Sequence, residues 1–200
     1  MAADGVVMLN RFGLEKGRVW PAVVMLVAVF APLLVWSQLN TIISGKESLE
    51  PNSTIELSTS TPLTAPPIDG KVRMTIPGDG WSADIADTKP SEWSLVHGQV
   101  HLDVKAISGV DDITVLFDRQ ARDLASETQP MFVTDTKPYS TEKDLDGVWG
   151  NLTGESYTGI LAVVGRESVA AVVVVTTPPG KTTAQMGDIV LLLNSLEIPV

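Results

Sequence analysis

Ile160–Thr177 reads ILAVVGRESVAAVVVVTT. Its length and apolarity match a membrane span, but Arg166 and Glu167 sit at its middle, where each charge is costly in a bilayer. Gly165-Arg166-Glu167 is instead a turn signal between two strands, Leu161–Val164 and Ser168–Thr177. The second is an almost unbroken run of β-branched residues with no polar alternation. Such a strand has apolar side chains on both faces, so it belongs at the centre of a sheet covered on both sides.

Working outward, the surrounding segments supply the sheet and its covers. Val72–Ile76 alternates apolar and polar residues as a strand does, and Pro77-Gly78-Asp79-Gly80 closes it with a turn. Trp93–Val96 and Val100–Ile107 form a hairpin around His97-Gly98-Gln99. In the second arm Val100, Leu102, Val104 and Ala106 face one way, and His101, Asp103 and Lys105 the other. Asp111–Ser126 is helical: Ile113, Leu116, Phe117, Leu124 and Ala125 make one apolar stripe, and Asp111 and Asp112 stand in the first turn, where acids suit the helix dipole. Asp118–Arg122 and Arg119–Asp123 have i,i+4 spacing on its wet side. Met131–Thr136 and Gly147–Thr158 are further strands. Thr182 with Gln185 has capping-box spacing for a last helix, whose buried face is Met186, Ile189, Leu193 and Leu196. The order β-β-β-α-β-β-β-β-α over Lys71–Val200 predicts an α+β domain: an antiparallel β-sheet covered by two helices.

Ahead of that domain lies VWPAVVMLVAVFAPLLVW, Val19–Trp36, 18 residues with no charge. At 1.5 Å per residue it covers about 27 Å, which fits the hydrocarbon core of a bilayer. Trp20 and Trp36 mark its ends, where indole rings prefer the interface. Ala28 and Ala31 do not form an A-x-A cleavage site, so a retained anchor is expected rather than a signal peptide. Pro32 falls in its interior and predicts a kink, and Ala22, Ala28 and Ala31 offer a small-residue face for partner helices. Arg11, Lys16 and Arg18 precede the span and only Lys46 follows closely, which places the N-terminus in the cytoplasm. The expected layout is thus a tail at 1–18, a transmembrane helix and extension at 19–44, a Ser/Thr/Pro-rich linker at 45–70, and an extracytoplasmic domain at 71–200. By composition the linker is extended and unfolded.

Charge sorts the possible partners. Residues 1–46 hold four Lys/Arg against two Asp/Glu, a net of +2. Residues 47–200 hold ten against twenty-two, a net of −12, and together they make the −10 of the whole chain. An exterior domain this acidic repels nucleic acid. With no cysteine, the chain has no disulfide, no thiolate-held cluster, no thiol nucleophile and no lipid-modified cysteine.

The residues Met74-Thr-Ile-Pro-Gly-Asp-Gly-Trp81, the helix after the third strand, the hairpin around Gly165 and a closing helix ending in Leu196-Glu-Ile198 resemble the PsbP-like fold, specifically the LpqN-type exported domains of actinobacteria. That resemblance covers Lys71–Val200 by order of elements. It implies a sheet sandwiched by helices and a non-catalytic role in supporting membrane complexes or the cell envelope. The chain departs from those lipoproteins by using an apolar span where they have a lipid-bearing cysteine. Its layout is also similar to accessory subunits of the actinobacterial cytochrome bcc–aa3 respiratory supercomplex.

The search for chemistry is mostly negative. His97 and His101, the two histidines, would lie about 13 Å apart along one face of a continuous strand, too far to share a metal; a bent hairpin would bring them closer, with Asp103 as a third ligand. The polar face of an ordinary strand is the expected role of His101. Lys143-Asp144-Leu145-Asp146-Gly147, with Glu142, lacks the remainder of a calcium loop and reads as an acidic turn. No serine has nucleophile-elbow context and no glycine-rich loop matches a phosphate cradle. Trp81, Trp93, Trp149 and Tyr157 are expected in the core or on the sheet. No catalytic, cofactor or metal residue is assigned. The expected function is a single-pass accessory or assembly subunit of an integral membrane complex, respiratory among the candidates, with Ala22, Ala28, Ala31 and Pro32 contacting the partner. The alternative is an extracytoplasmic module binding a lipid or other apolar envelope ligand.

Overall fold

The computed structural model describes residues 45–60, 70–84, 87–180 and 182–199, the last with backbone alone for 182–185. In chain order the elements are β1 (Lys46–Ser48), β2 (Thr54–Ser58), β3 (Lys71–Thr75), β4 (Trp81–Asp84), β5 (Glu92–His97), β6 (Val100–Ser108), α1 (Ile113–Ala125), β7 (Met131–Ser140), β8 (Asp146–Gly154), β9 (Thr158–Arg166), β10 (Val169–Thr177) and α2 (Thr182–Ser195). Eight strands form one antiparallel sheet in the order β1-β4-β5-β6-β10-β9-β8-β7, and β2-β3 form a second, two-stranded sheet.

The hairpin of β9 and β10 lies where the apolar run requires. Val169 pairs with Arg166 and Thr177 with Thr158, and β10 takes β6 on its other side. Successive residues of β10 enter opposite cores. Val169, Ala171, Val173 and Val175 join one cluster, while Ala170 and Val172 join the other. The α+β class, the antiparallel sheet and its two helices are as the sequence predicts.

The two faces are covered by different means. On one, α1 sets Leu116, Phe117 and Leu124 against Leu152, Leu161, Val163 and Val172. Asp112 proves to be the N-cap of α1 and not a first-turn residue, its carboxylate accepting from the backbone N–H groups of Thr114 (2.7 Å) and Val115 (3.3 Å). On the other face, β2, β3 and α2 bury Ile55, Leu57, Val72, Met74, Ile189, Leu192 and Leu193 over the sheet. The chain after α2 continues this cover: Arg73 and Glu197 exchange backbone hydrogen bonds of 2.8 and 2.9 Å. Ser195 Oγ donates to the Thr75 carbonyl at 3.1 Å and accepts from its N–H at 3.0 Å.

Two expectations are corrected. The segment 45–70 is not simply a linker, because β1 pairs with β4, β2 pairs with β3, and the compact unit begins at Lys46. Thr54-Ile55-Glu56-Leu57-Ser58 alternates, and Ile55 and Leu57 are buried. The Ser/Thr/Pro content around this pentapeptide hid a strand that pairing with β3 stabilises. Glu56 faces outward between Lys71 (2.6 Å) and Arg73 (3.0 Å), and these two cations hold its carboxyl below the usual range. The second correction is an added strand, β4, directly after the turn at Pro77–Gly80. There Gly78 (φ 71°) and Gly80 (φ 87°) occupy the left-handed region that favours glycine.

Both edges of the main sheet are guarded. The edge strand β1 is three residues long. Strand β7 carries a register shift between Thr134 and Lys137, with Asp135 at φ 53°, followed by Pro138. Short strands, bulges, lysine and proline are devices that keep an edge from pairing with another chain. The stretch Val19–Trp36, with Ala22, Ala28, Ala31 and Pro32, lies outside the described residues, as do the side chains of the Thr182/Gln185 pattern. Among the described residues no helix is long and apolar enough to cross a membrane.

Leu57→Ala should lower stability by about 2–5 kcal/mol, the usual cost of emptying a fully buried leucine site, read as a shifted denaturation midpoint. A chain starting at Lys71 should lose its cooperative transition where one starting at Lys46 keeps it, and limited proteolysis should spare 46–58. Gly159→Ala sets a Cβ 1.7 Å from the Val175 carbonyl oxygen, a backbone atom in the neighbouring strand. It should cost about 3 kcal/mol or more in the same assay.

Candidate functional site

The face of the sheet that carries α1 is only partly covered. The helix packs on β7, β8 and β9. Beyond it, on β5 and β6, most side chains pointing the same way are polar: Glu92 pairs with Lys105 and Ser94 with Asp103, while His101 stands opposite the buried Val96. Strand β10 completes the floor with Val174 beside Asp103 and Thr176 beside His101. The sequence alternation of β6 thus holds residue by residue, and its polar half faces an open concavity.

Two hollows lie there. One, of about 450 Å³, is lined by Asp87, Lys89, Glu92, Ser94, His101, Asp103, Tyr157 and Thr176. The other, of about 360 Å³, runs toward α1 over Lys105, Val172 and Val174, with Gln120, Leu124, Glu127, Gln129 and Met131 as its wall. Glu92, Asp103, Tyr157 and Thr176 line both, so the two adjoin.

Asp103 is the electrostatic centre of this surface. Burial by the surrounding side chains pushes its carboxyl above the ordinary range, and nearby Glu92 and Asp87 push the same way. A hydrogen bond from Ser94 and the proximity of His101 oppose the shift and do not cancel it. The ionised form is disfavoured there chiefly because the surrounding side chains strip hydration from the charge.

The other residues singled out in the sequence fall elsewhere. His97 and His101 do not share a face, because β5 ends at His97 and β6 begins at Val100. His97 therefore pairs with Val100 on the α2 side, while His101 faces the open hollow. The His97 ring stacks on Trp81 at 5.0 Å, and its Nδ1 lies 3.9 Å from the Asp188 carboxylate. Trp81 is buried and donates from its indole to the Pro77 carbonyl at 3.1 Å, so the GDGW segment is a structural corner. Trp93 and Trp149 are partly buried against the same core. Tyr157 is exposed at the cleft, contrary to the packing role expected of it. The acidic turn at Glu142–Asp146 is held by Arg166, whose Nη2 donates to the carbonyls of Lys143 (2.8 Å) and Asp144 (3.0 Å). Among the described residues no three His, Asp or Glu are gathered so as to hold a metal ion.

Sequence reasoning did not single out Tyr157 or Asp87 as neighbours of Asp103. They come from separate connections, and no local pattern links them. A stability test follows from Asp103. With a folded-state pKa above the unfolded value, its favourable contribution is present when it is protonated and is lost as pH rises through the folded pKa. Asp103→Asn should therefore raise stability at neutral pH by less than about 1 kcal/mol, given partial solvent screening. The gain should vanish near about pH 3, where both side chains are neutral.

No protein-family model matches the chain, and no curated protein matches it. Among solved structures it is similar to the solution structure of cyanobacterial PsbP (CyanoP) from Synechocystis sp. PCC 6803. The TM-score is 0.51 at 9% identity, over 76% of this chain and 95% of that one. A structure from Bacteroides thetaiotaomicron aligns at a TM-score of 0.39 and 16% identity, over 64% of this chain and 45% of that one, too distant a likeness to bear on the fold. At 9% identity the first likeness speaks to architecture alone: Lys46–Val200 has a PsbP-like fold.

Proposed function

We propose that this chain is a single-pass membrane protein whose extracytoplasmic PsbP-like domain acts as a non-catalytic accessory or assembly subunit of a larger integral membrane complex. A respiratory assembly such as the actinobacterial bcc–aa3 supercomplex, and an LpqN-like relation to the cell envelope, belong to this proposal. The anchor is Val19–Trp36, and its Ala22, Ala28, Ala31 and Pro32 are the residues offered to partner helices.

The observation that carries the reading is how soon the compact unit starts after that apolar stretch. Only Ser37–Gly45, nine residues, separate Trp36 from Lys46. Fully extended they reach about 30 Å, about a quarter of what a linker running to residue 70 would allow. A domain on so short a tether stays near the bilayer surface, at high effective concentration toward anything else embedded there. Supporting the non-catalytic part, the two histidines face opposite sides of the sheet, so one site does not hold both. A lipid-binding module would want an enclosed apolar cavity, and the hollows on the sheet face are open and largely polar-lined.

Purification from membranes in mild detergent should bring down a defined set of integral membrane chains. Replacing Ala22, Ala28 and Ala31 together by leucine should reduce that recovery several-fold while alkaline extraction still finds the protein in the membrane. A reporter fused after Val200 should be active only outside the cytoplasm. Cytoplasmic reporter activity would sink the topology, and unchanged recovery with the leucine variant would sink the role of the helix.

A further inference from the structure

The accessory-subunit reading leaves the cleft on the open half of the sheet without a role. Its two hollows share their central residues, so they form one trough running from α1 to the far side of β6. Each lies within the size range of small-molecule sites. The trough is chemically two-ended. Toward α1 its floor carries Val172 and Val174, and its wall sets Leu124 and Met131 among Gln120, Glu127 and Gln129. At the other end stand Asp103 and Asp87, beside hydrogen-bonding Ser94 and Thr176.

The charge balance favours one sign of ligand. Lys89 is engaged with Glu92 at 3.5 Å. That leaves Lys105 against Asp87, Asp103 and Glu127, a local excess of two negative charges. An anion would be repelled by this excess and by the acidic domain around it. A divalent metal would want three converging ligands, which the described residues do not provide. A neutral apolar molecule would fill the α1 end and leave the carboxylates bare.

We propose that this cleft binds a small aliphatic ammonium ligand, a linear di- or polyamine. The methylene chain lies over Leu124, Val172 and Val174, and one ammonium sits against Asp103 and Asp87. Val174 is the cross-strand partner of Asp103, so the apolar floor ends directly beside the carboxylate. A chain with methylenes on one side of a cationic nitrogen matches that step. Charge-assisted hydrogen bonds to the carboxylates fix the nitrogen. The Tyr157 ring at the cleft gives a second, electron-rich surface for the cation. The raised carboxyl of Asp103 accords with this, because a bound ammonium would offset the cost of ionising a partly desolvated carboxyl.

The test is calorimetric titration of the full-length protein in detergent with 1,4-diaminobutane and with spermidine, at about 0.15 M salt to screen diffuse attraction. 1-Butanol serves as the uncharged probe. Saturable binding with one amine per chain is expected, with no heat from 1-butanol. Asp103→Asn should weaken it by at least about tenfold, the scale of one lost charge-assisted contact. Asp87→Asn is a second variant, in a loop where a folding defect is less of a concern. Asp118→Asn, on the solvent side of α1, should bind as the parent does. Absence of saturable binding overturns the proposal. So does an equal loss in the Asp103 and Asp118 variants, which would mean diffuse attraction to an acidic surface, or equal binding of 1-butanol, which would mean an apolar site. None of these outcomes bears on the membrane-subunit reading, so the two ideas fail separately.

Discussion

Strand β10 has no polar face through its middle. From Val169 to Val175 every side chain is apolar, and consecutive ones point to opposite sides of the sheet. Burying such residues is worth about 1.5–3 kcal/mol for each valine, but only if both sides are sealed from water. The rest of the molecule follows from meeting that condition twice. One side is met locally and in part, by a single amphipathic helix that the chain forms between β6 and β7; it buries Ala170 and Val172 and leaves Val174 half-buried at the cleft floor. The other is met from a distance, by segments near the two ends of the compact unit.

That distant cover explains why the unit starts at Lys46. Strand β3 alone would leave its own edge and a patch of core open. Strand β2 closes the edge in register from Thr54–Thr75 to Ser58–Lys71, and brings Ile55 and Leu57 with it. On the other edge the chain near Glu197 pairs with Arg73, so the residues following α2 hold β3 in place. Tyr139 joins α2 to the far side of the sheet, its hydroxyl donating to Asn194 Oδ1 at 2.6 Å. Asn194 in turn donates to Glu142 Oε1 at 3.1 Å. Burial and nearby Glu142 both push the Tyr139 hydroxyl pKa upward, which keeps it a donor.

The cleft is the geometric remainder of this arrangement. Eight strands at about 4.8 Å spacing span roughly 34 Å, and one helix is only about 10 Å wide. A single helix therefore covers about a third of such a sheet, here β7 to β9. Strands β5 and β6 place Ser94, His101 and Asp103 on the uncovered half, where water can reach them. The walls of α1 and the neighbouring turns make that half concave. A polar, concave surface with an excess of carboxylates is where this domain has binding chemistry to offer.

Periodicity by itself determined the parts whose partners are close in the chain or whose pattern admits one environment. The apolar run of β10, the alternation of β6, the stripe of α1, and the glycine turn after β3 are all of this kind, and so is the α+β class. Composition placed an apolar stretch at Val19–Trp36, which lies beyond the described residues. Only the tertiary structure decided the rest. Thr54–Ser58 is a five-residue strand in a Ser/Thr/Pro-rich setting, and its stability comes from β3 and the core beneath it, which no local window contains. The two histidines went to opposite faces because a two-residue turn, and not a continuous strand, separates them. Asp87, Asp103, Glu127 and Tyr157 share a cleft although up to 70 residues of chain separate them. Proximity across a sheet is set by strand order, and strand order is a property of the whole fold.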